Sequence, residues 1–280
     1  MTRLRLERRP VVLPPLGGTL GFVWTTLIEL ARRVERVPWV LVGGQMVLLH
    51  GLERDVPAPR LSTDIDAGID VRIDTRAVRM MVAALEALEF ISVGTSPEGI
   101  AHRFCKVAPN QIAEVGKRSA TAGTGEEVVV DLLVPEGLAP TTDVTTRGGR
   151  AFSAPGLTQA LHRSELVPVS HGTLVGWVPR PSLLGAIVAK AAAGTTDHIH
   201  RDRHLIDLAF LCGLVEDPIA LANQTERGDR KRLRAVARLL PEDHPAWIAG
   251  AGDPSNARLA LAILAEAQQP NVGNLHLHGA

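Results

Sequence analysis

Two aspartates on one face of a predicted strand constrain this chain more than any other feature. The stretch 64–71, DIDAGIDV, alternates polar or small residues with apolar ones. A period of two predicts a strand whose polar face carries Asp64, Asp66, Gly68 and Asp70. Asp64 and Asp66 then project side by side, and adjacent carboxylates repel each other unless a cation lies between them. The strand therefore predicts a cation site at the edge of a cleft.

The residues before this strand predict a site for an anion. Trp39 to Val42 is an unbroken apolar run that ends at Gly43 and Gly44, which indicates a buried strand running into a tight turn. Residues 45–52 have a helix-compatible composition, so the local order is strand, Gly-Gly turn, helix. Two residues without Cβ let a phosphate approach the backbone N–H groups at the start of a helix.

A third carboxylate lies in a later apolar strand. The segment Glu126 to Val134, EEVVVDLLV, predicts a strand, and Asp131 interrupts it. A buried charge is costly unless it is paired or bound to a metal. Hard divalent cations take carboxylates and substrate phosphates as ligands, and three convergent carboxylates suit a two-metal site for phosphoryl displacement. We therefore expect Asp64, Asp66 and Asp131 to bind Mg²⁺ or Mn²⁺.

The wider pattern predicts an α/β (α+β) fold with a mixed β-sheet. Helical spacing over 19–36 predicts an amino-terminal arm and helix at 1–36, followed by a core at 37–178. From Pro181 onward, Ala and Leu recur at helical spacing, which predicts a helical carboxy-terminal lobe at 179–280. Residues 109–125 are rich in Gly, Ser and Thr and predict a loop.

Composition limits the environment and the partners. Thirty Lys and Arg balance thirty Asp and Glu, so net charge does not drive nucleic-acid binding, although basic patches occur at 3–9 and 227–238. Cys105 and Cys212 lie far apart in sequence, which excludes a disulfide framework and favours a reducing compartment. Because no run of about 18 apolar residues occurs, we expect a cytoplasmic protein with no membrane partner.

The stretch VLVGGQMVLLHGLERDVPAPRLSTDIDAGIDV resembles the DNA-polymerase-β-like nucleotidyltransferase superfamily. More closely, it resembles the AbiEii/AbiGii toxin family and its MenT relatives. That family has Gly-Gly, an apolar helix often ending in His-Gly, and then Arg-x-Thr/Ser-x-Asp-Ile-Asp. The resemblance implies a nucleotidyltransferase core with a helical carboxy-terminal lobe, and it implies Asp64, Asp66 and Asp131 as catalytic acids and metal ligands. The substrate-binding positions that match are Gly43, Gly44, Gln45, Arg60 and Ser62.

The same family has a downstream Lys followed by an Arg/Lys-Asp-x-x-Asp-Leu run. Here Lys190 and Asp207 match the Lys and the final Asp, while His204 stands at the first Asp of the run. The resemblance implies that Lys190 contacts nucleotide phosphates and that Asp207 supports Lys190 or the metal site. Gln45 is a second departure, since many members have Ser or Thr there.

The resemblance implies metal-dependent transfer of an NMP from an NTP to the 3′ end of tRNA, by a toxin with a cognate antitoxin. Contacts to the RNA backbone would then come from the basic residues Arg227, Arg230, Lys231, Arg232 and Arg234. Two alternatives stay open: transfer to a protein side chain or a small molecule such as an aminoglycoside, and a catalytically silent binding module of the same fold.

Overall fold

The protein has an α/β fold that contains a mixed central sheet and many helices. The computed structural model describes residues 3–15, 18–107, 127–138, 145–146 and 149–266. The predicted loop at 109–125 lies outside these ranges.

In chain order the strands are β1 (Leu4–Arg5), β2 (Val11–Val12), β3 (Trp39–Val42), β4 (Asp64–Ile69), β5 (Ile91–Ser92), β6 (Arg103–Val107), β7 (Glu127–Pro135), β8 (Thr145–Thr146), β9 (Gly149–Arg150), β10 (Phe152–Ala154), β11 (Ser164–His171) and β12 (Leu174–Pro181). The helices are α1 (Gly18–Arg33), α2 (Gly43–Leu52), α3 (Ala77–Ala87), α4 (Leu157–His162), α5 (Leu183–Thr196), α6 (Arg201–Gly213), α7 (Pro218–Ala222), α8 (Arg227–Ala237), α9 (Pro245–Gly250) and α10 (Pro254–Glu266).

The central sheet has the strand order β3, β4, β7, β6, β5, and β10 pairs with the end of β7. β4 is antiparallel to β3 and parallel to β7, while β7 is antiparallel to β6. The predicted strand at 39–42 and the predicted start of a strand at Asp64 are both confirmed. The α/β class with a mixed sheet is likewise confirmed.

A second sheet joins the amino-terminal arm to the middle of the chain. β11 pairs with β12 over eight residues of each strand, and β1 and β2 both pair with β11 in parallel. The sequence pattern predicts short strand pieces in this region, such as 173–178; a strand is present there, but it extends over Leu174–Pro181, and β11 is eight residues long. Pro168 and Pro179 interrupt the strand pattern, and proline inside a run argues against a strand when only the sequence is read.

One hydrophobic cluster includes described residues on both sides of each predicted segment boundary. It contains Trp24 and Leu27 of α1, Ile65 of β4, and Leu205 and Leu208 of α6, which are almost completely excluded from solvent. Burial of each side chain contributes about 1.5–3 kcal/mol. The division at 36/37 and 178/179 stays a prediction, but packing is continuous across both positions. None of the described helices is long and apolar enough to cross a membrane.

A buried ion pair fixes the end of α2 to β12. Arg180 is 3% exposed and donates to both carboxylate oxygens of Glu53 at 2.7 Å, while its Nη1 donates to Glu165 at 2.8 Å. Bidentate pairs of this kind combine charge with fixed geometry. This connection holds the helix that begins at Gly43 against the second sheet.

We predict that Arg180→Met lowers the free energy of unfolding by about 3 kcal/mol, because it leaves the Glu53 carboxylate buried with weaker partners. Chemical denaturation measures this loss. As a control, Arg76→Met removes an exposed pair with Asp74 and should change the free energy of unfolding far less. Equal effects of the two substitutions would contradict the structural role of the buried pair.

Candidate active site

Four side chains form a row across the central sheet. Val42 pairs with Asp66, Asp66 with Asp131, and Asp131 with Arg103. Residues paired directly on neighbouring strands share a face of the sheet, and Asp64 lies on that face because it is two residues before Asp66. The structure therefore brings the three predicted acidic residues to one face, next to the end of β3.

The surroundings of Asp66 disfavour the ionised form of its carboxyl group. Burial, followed by the charges of Asp131 and Asp64, raises its pKa to about 6 from 3.8, although Lys190 and Arg60 act in the opposite direction. Within the described part of the chain, the Asp66 carboxylate makes neither a hydrogen bond nor an ion pair. A carboxylate in this state gains from any cation that reaches it.

Asp131 has a partner that the sequence did not predict. Arg103 donates from Nε to Oδ1 at 2.9 Å and from Nη2 to Oδ2 at 2.7 Å, so one guanidinium engages both carboxylate oxygens. The Nε2 atom of His102 lies 3.8 Å from Oδ1 of Asp131. The buried charge of Asp131 is therefore compensated by an ion pair with Arg103.

The donor set suits a hard divalent cation, although it does not form a finished metal site. Among the described residues, no group of three or more His, Cys, Asp or Glu side chains is arranged to hold a metal ion. Asp64 and Asp66 nevertheless present carboxylate oxygens from one strand face, and Asp66 lacks a compensating partner. Mg²⁺ commonly binds through one or two carboxylates and completes its shell with water and phosphate oxygens. The chemistry of Asp64, Asp66 and Asp131 is compatible with metal binding, and their role as ligands stays a prediction.

The start of α2 lies directly against Asp66. Gly43 is the first residue of α2 and has a φ of +70°, a conformation that glycine adopts most readily. A Cβ at this position would lie 1.7 Å from Oδ2 of Asp66. The first backbone N–H groups of a helix have no intrahelical partner, and Val42 supplies no side-chain cap. Carboxylates and free N–H groups are therefore adjacent at this point of the sheet.

Gly44 allows a second close contact, between α2 and the loop before β4. A Cβ on Gly44 would lie 2.4 Å from Cβ of Ser62 and 3.3 Å from Nη1 of Arg60, so the loop before β4 packs on the first turn of α2. Gln45 donates from its side chain to the carbonyl of Ser62 and is fully buried. Gln45, one of the predicted substrate-binding residues, therefore does not expose its side chain to solvent.

Asp207 connects the sheet to the helical lobe. This carboxylate is fully buried and accepts from Nε and Nη2 of Arg60 at 2.9 and 2.6 Å, and from Nζ of Lys190 at 2.7 Å. Burial raises its pKa, but the charges of Lys190 and Arg60 and their hydrogen bonds outweigh this effect and lower it overall. Asp207 therefore stays ionised and holds both cations in place. The predicted support of Lys190 by Asp207 is present as a contact.

Charges at the site nearly balance. The carboxylates of Asp64, Asp66, Asp131 and Asp207 face the cations Arg60, Arg103 and Lys190. This set has a net charge of −1 when every group is ionised. It can accept a divalent cation together with the negative charge of a nucleotide without a large electrostatic penalty.

α8 carries a basic face that is separate from this row. This face consists of four exposed cations at helical spacing, of which the last directly follows the final residue of α8: Arg227, Lys231, Arg234 and Arg238. They surround a surface hollow of about 680 Å³. Of the other two predicted RNA contacts, Arg230 also lines this hollow but is mostly buried and bonds to Thr225, and Arg232 pairs with Glu136. The contact of all these residues with RNA stays a prediction.

Comparisons with known proteins give limited information about this chain. No protein-family model matches it, and no curated protein matches it. It is similar to the crystal structure of an antigenic nucleotidyltransferase-like protein from Paracoccidioides brasiliensis, with 13% identity and a TM-score of 0.46. The match covers 83% of this chain and 95% of that chain. These values are too low to transfer a function, so the function is inferred from the side chains of the site.

We predict that Gly43→Ala abolishes any activity of the site and destabilises the fold. The left-handed backbone alone costs an alanine about 1–2 kcal/mol, and its Cβ would displace Asp66. Thermal unfolding measures the loss, with Gly252→Ala as the matched control, since no atom lies within 4 Å of a Cβ at Gly252. If Gly43→Ala unfolds at the same temperature as Gly252→Ala, the close approach of α2 to Asp66 is wrong.

We also predict that Asp66→Asn stabilises the metal-free protein at pH 7.5 by about 1–2 kcal/mol. Because the folded state raises the pKa of Asp66 from 3.8 to about 6, ionised Asp66 opposes folding above pH 6 and the penalty disappears below about pH 4. The gain from Asn should therefore shrink as the pH falls from 6 to 4 in thermal unfolding with EDTA. Asp74→Asn is the control, since Arg76 lowers the pKa of that exposed carboxylate. A gain that is independent of pH would contradict the shift.

Proposed function

We propose that this protein is a metal-dependent nucleotidyltransferase that moves an NMP from an NTP to an acceptor hydroxyl. The observation that carries the proposal is the contact between Gly43 and Asp66. It sets the start of a helix, where backbone N–H groups bind phosphate, against carboxylates that bind divalent cations. An NTP complexed with Mg²⁺ presents both partners, a polyphosphate and a cation.

Each residue then has a distinct task. The backbone at Gly43 and Gly44 binds a phosphate of the NTP, and Asp64 and Asp66 hold Mg²⁺ or Mn²⁺. The metal, when bound, neutralises phosphate charge and polarises the phosphorus–oxygen bond that breaks. Lys190 contributes a further positive charge toward the phosphates, and Asp207 positions it.

The proposed reaction is a direct displacement at the α-phosphorus of the NTP. The oxygen of the acceptor hydroxyl forms a bond to the α-phosphorus, and the bond from that phosphorus to the bridging oxygen of the β-phosphate breaks. Pyrophosphate leaves with the electron pair of the broken bond. The hydroxyl proton passes to the carboxylate of Asp131, which also aligns the acceptor, and from there to solvent.

The basic face of α8 supports an RNA acceptor, for which we propose the 3′ end of tRNA. Within the described part of the chain, Arg227, Lys231 and Arg238 make no ion pair, so their charges are available to phosphates. By resemblance, such an enzyme is the toxin of a pair, with a cognate antitoxin as protein partner.

Incubation with each α-³²P-labelled NTP, Mg²⁺ and total tRNA tests the transferase proposal. We predict that the wild-type protein labels tRNA with at least one NTP, and that Asp66→Asn reduces labelling at least 1000-fold. Asp74→Asn, an exposed change of the same type, keeps full activity. Label on the protein itself would indicate side-chain transfer, and label on an added aminoglycoside would indicate a small-molecule acceptor. No label with any NTP or with either metal would favour a catalytically silent module.

Salt dependence tests the RNA acceptor separately. We predict that Gln at all four basic positions of α8 weakens tRNA binding and lowers the slope of log affinity against log salt by about 3. A filter-binding assay without NTP measures this. The matched control makes the same charge change at exposed cations outside α8: Arg33, Arg36, Arg76 and Arg79. Equal slopes for the two variants would contradict an RNA site on α8.

A further inference from the structure

We propose that Arg103 is a built-in counter-cation, which holds Asp131 in the metal-free protein and must release it before a divalent cation can use that carboxylate. This inference rests on the proposed function, because it concerns the same metal site. It assigns a positioning role to a residue outside the predicted catalytic set.

Arg103 and Asp131 form a bidentate pair. Arg103 uses two nitrogens to engage both oxygens of Asp131, at 2.9 and 2.7 Å. Such a fork leaves the carboxylate fewer free lone pairs for a metal ion. Because Arg103 and Asp131 are direct partners on β6 and β7, the backbone places them together before any ligand arrives.

The two partners differ in their exposure to solvent. The side chain of Arg103 is 47% exposed, whereas that of Asp131 is 10% exposed. The carboxylate is therefore fixed by its surroundings, and the guanidinium has solvent beside it into which it can move. A guanidinium does not lose its proton in a protein, so it leaves Asp131 by moving away and not by deprotonation.

The charge of Arg103 also acts on the two acidic residues of β4. Asp131 raises the pKa of Arg103, chiefly through their hydrogen bonds, and the charges of Asp64 and Asp66 raise it further. One cation thus compensates all three acidic residues that are predicted to bind the metal. Removal of this cation leaves Asp131 without its bidentate partner and removes positive charge that acts on Asp64 and Asp66, which increases the attraction of the three carboxylates for a divalent ion.

Direct metal binding by the full chain tests the proposal without an activity assay. Electron paramagnetic resonance of free Mn²⁺ gives its dissociation constant. We predict that Arg103→Gln binds Mn²⁺ about fivefold more tightly than the wild type. Arg103→Lys keeps the charge but loses the fork, and it should fall between the two. Arg76→Gln, which removes an exposed arginine from another carboxylate, should bind like the wild type.

Two further variants separate the possible results. In an Asp131→Asn background, Arg103→Gln should tighten Mn²⁺ binding by less than in the wild type, because the contact it relieves is already absent and only its charge near Asp64 and Asp66 is removed. Asp64→Asn should weaken binding in every background. If Arg103→Gln binds Mn²⁺ no more tightly than the wild type while Asp64→Asn loses binding, the counter-cation role is overturned and the metal site stands. If neither the wild type nor Arg103→Gln binds Mn²⁺, both the role and the proposed metal site are overturned.

Discussion

The absence of a side chain at position 43 is the constraint on which the rest of the site depends. Because Gly43 has no Cβ, α2 can begin directly at the end of β3 while the neighbouring strand β4 carries Asp66 into contact with its first turn. Any larger residue would separate the helix from the carboxylate. The buried pair of Arg180 and Glu53 fixes the other end of the same helix. The position of the free N–H groups relative to Asp66 is thus held from both ends of α2.

Charge compensation explains how so many carboxylates persist on a partly buried sheet face. Three different elements each contribute a cation: Arg60 comes from the loop before β4, Lys190 from α5 and Arg103 from β6. Asp207 then adds a fourth carboxylate that holds two of these cations from the helical lobe. Among the described residues, Asp64 and Asp66 make no ion pair, and burial, followed by the charges of Asp131 and Asp64, raises the pKa of Asp66. A deficit of positive charge beside free helix N–H groups is the arrangement that a metal–nucleotide complex would relieve.

The sequence predicted those parts of the site that depend on local pattern. Alternation over 64–71 placed Asp64 and Asp66 on one face, and the apolar run before Gly43 gave the bounds of β3. Other parts depend on strand register, which one chain does not reveal. The isolated charge of Asp131 indicated a need for a partner, but only the register of β6 against β7 identifies Arg103 as that partner.

One short helix, α9, was missed for a related reason. α9 has six residues, too few for a helical period to be recognised, although Pro245 at its start and the His244 cap are local signals. The role of Gln45 was also beyond the sequence, since its burial against Ser62 depends on how the loop before β4 folds back onto α2. Local chemistry was therefore predictable, whereas contacts between distant segments required the structure.

The central claim is that one site binds a divalent cation on Asp64 and Asp66 and a polyphosphate at the start of α2. Crystals soaked with Mn²⁺ and a non-hydrolysable NTP analogue test it most directly, through anomalous scattering from the metal. We predict an anomalous peak in contact with the carboxylates of Asp64 and Asp66, with a phosphate of the analogue at the backbone of Gly43 and Gly44. A metal and nucleotide bound elsewhere, or an analogue that binds with no peak at these carboxylates, would contradict it.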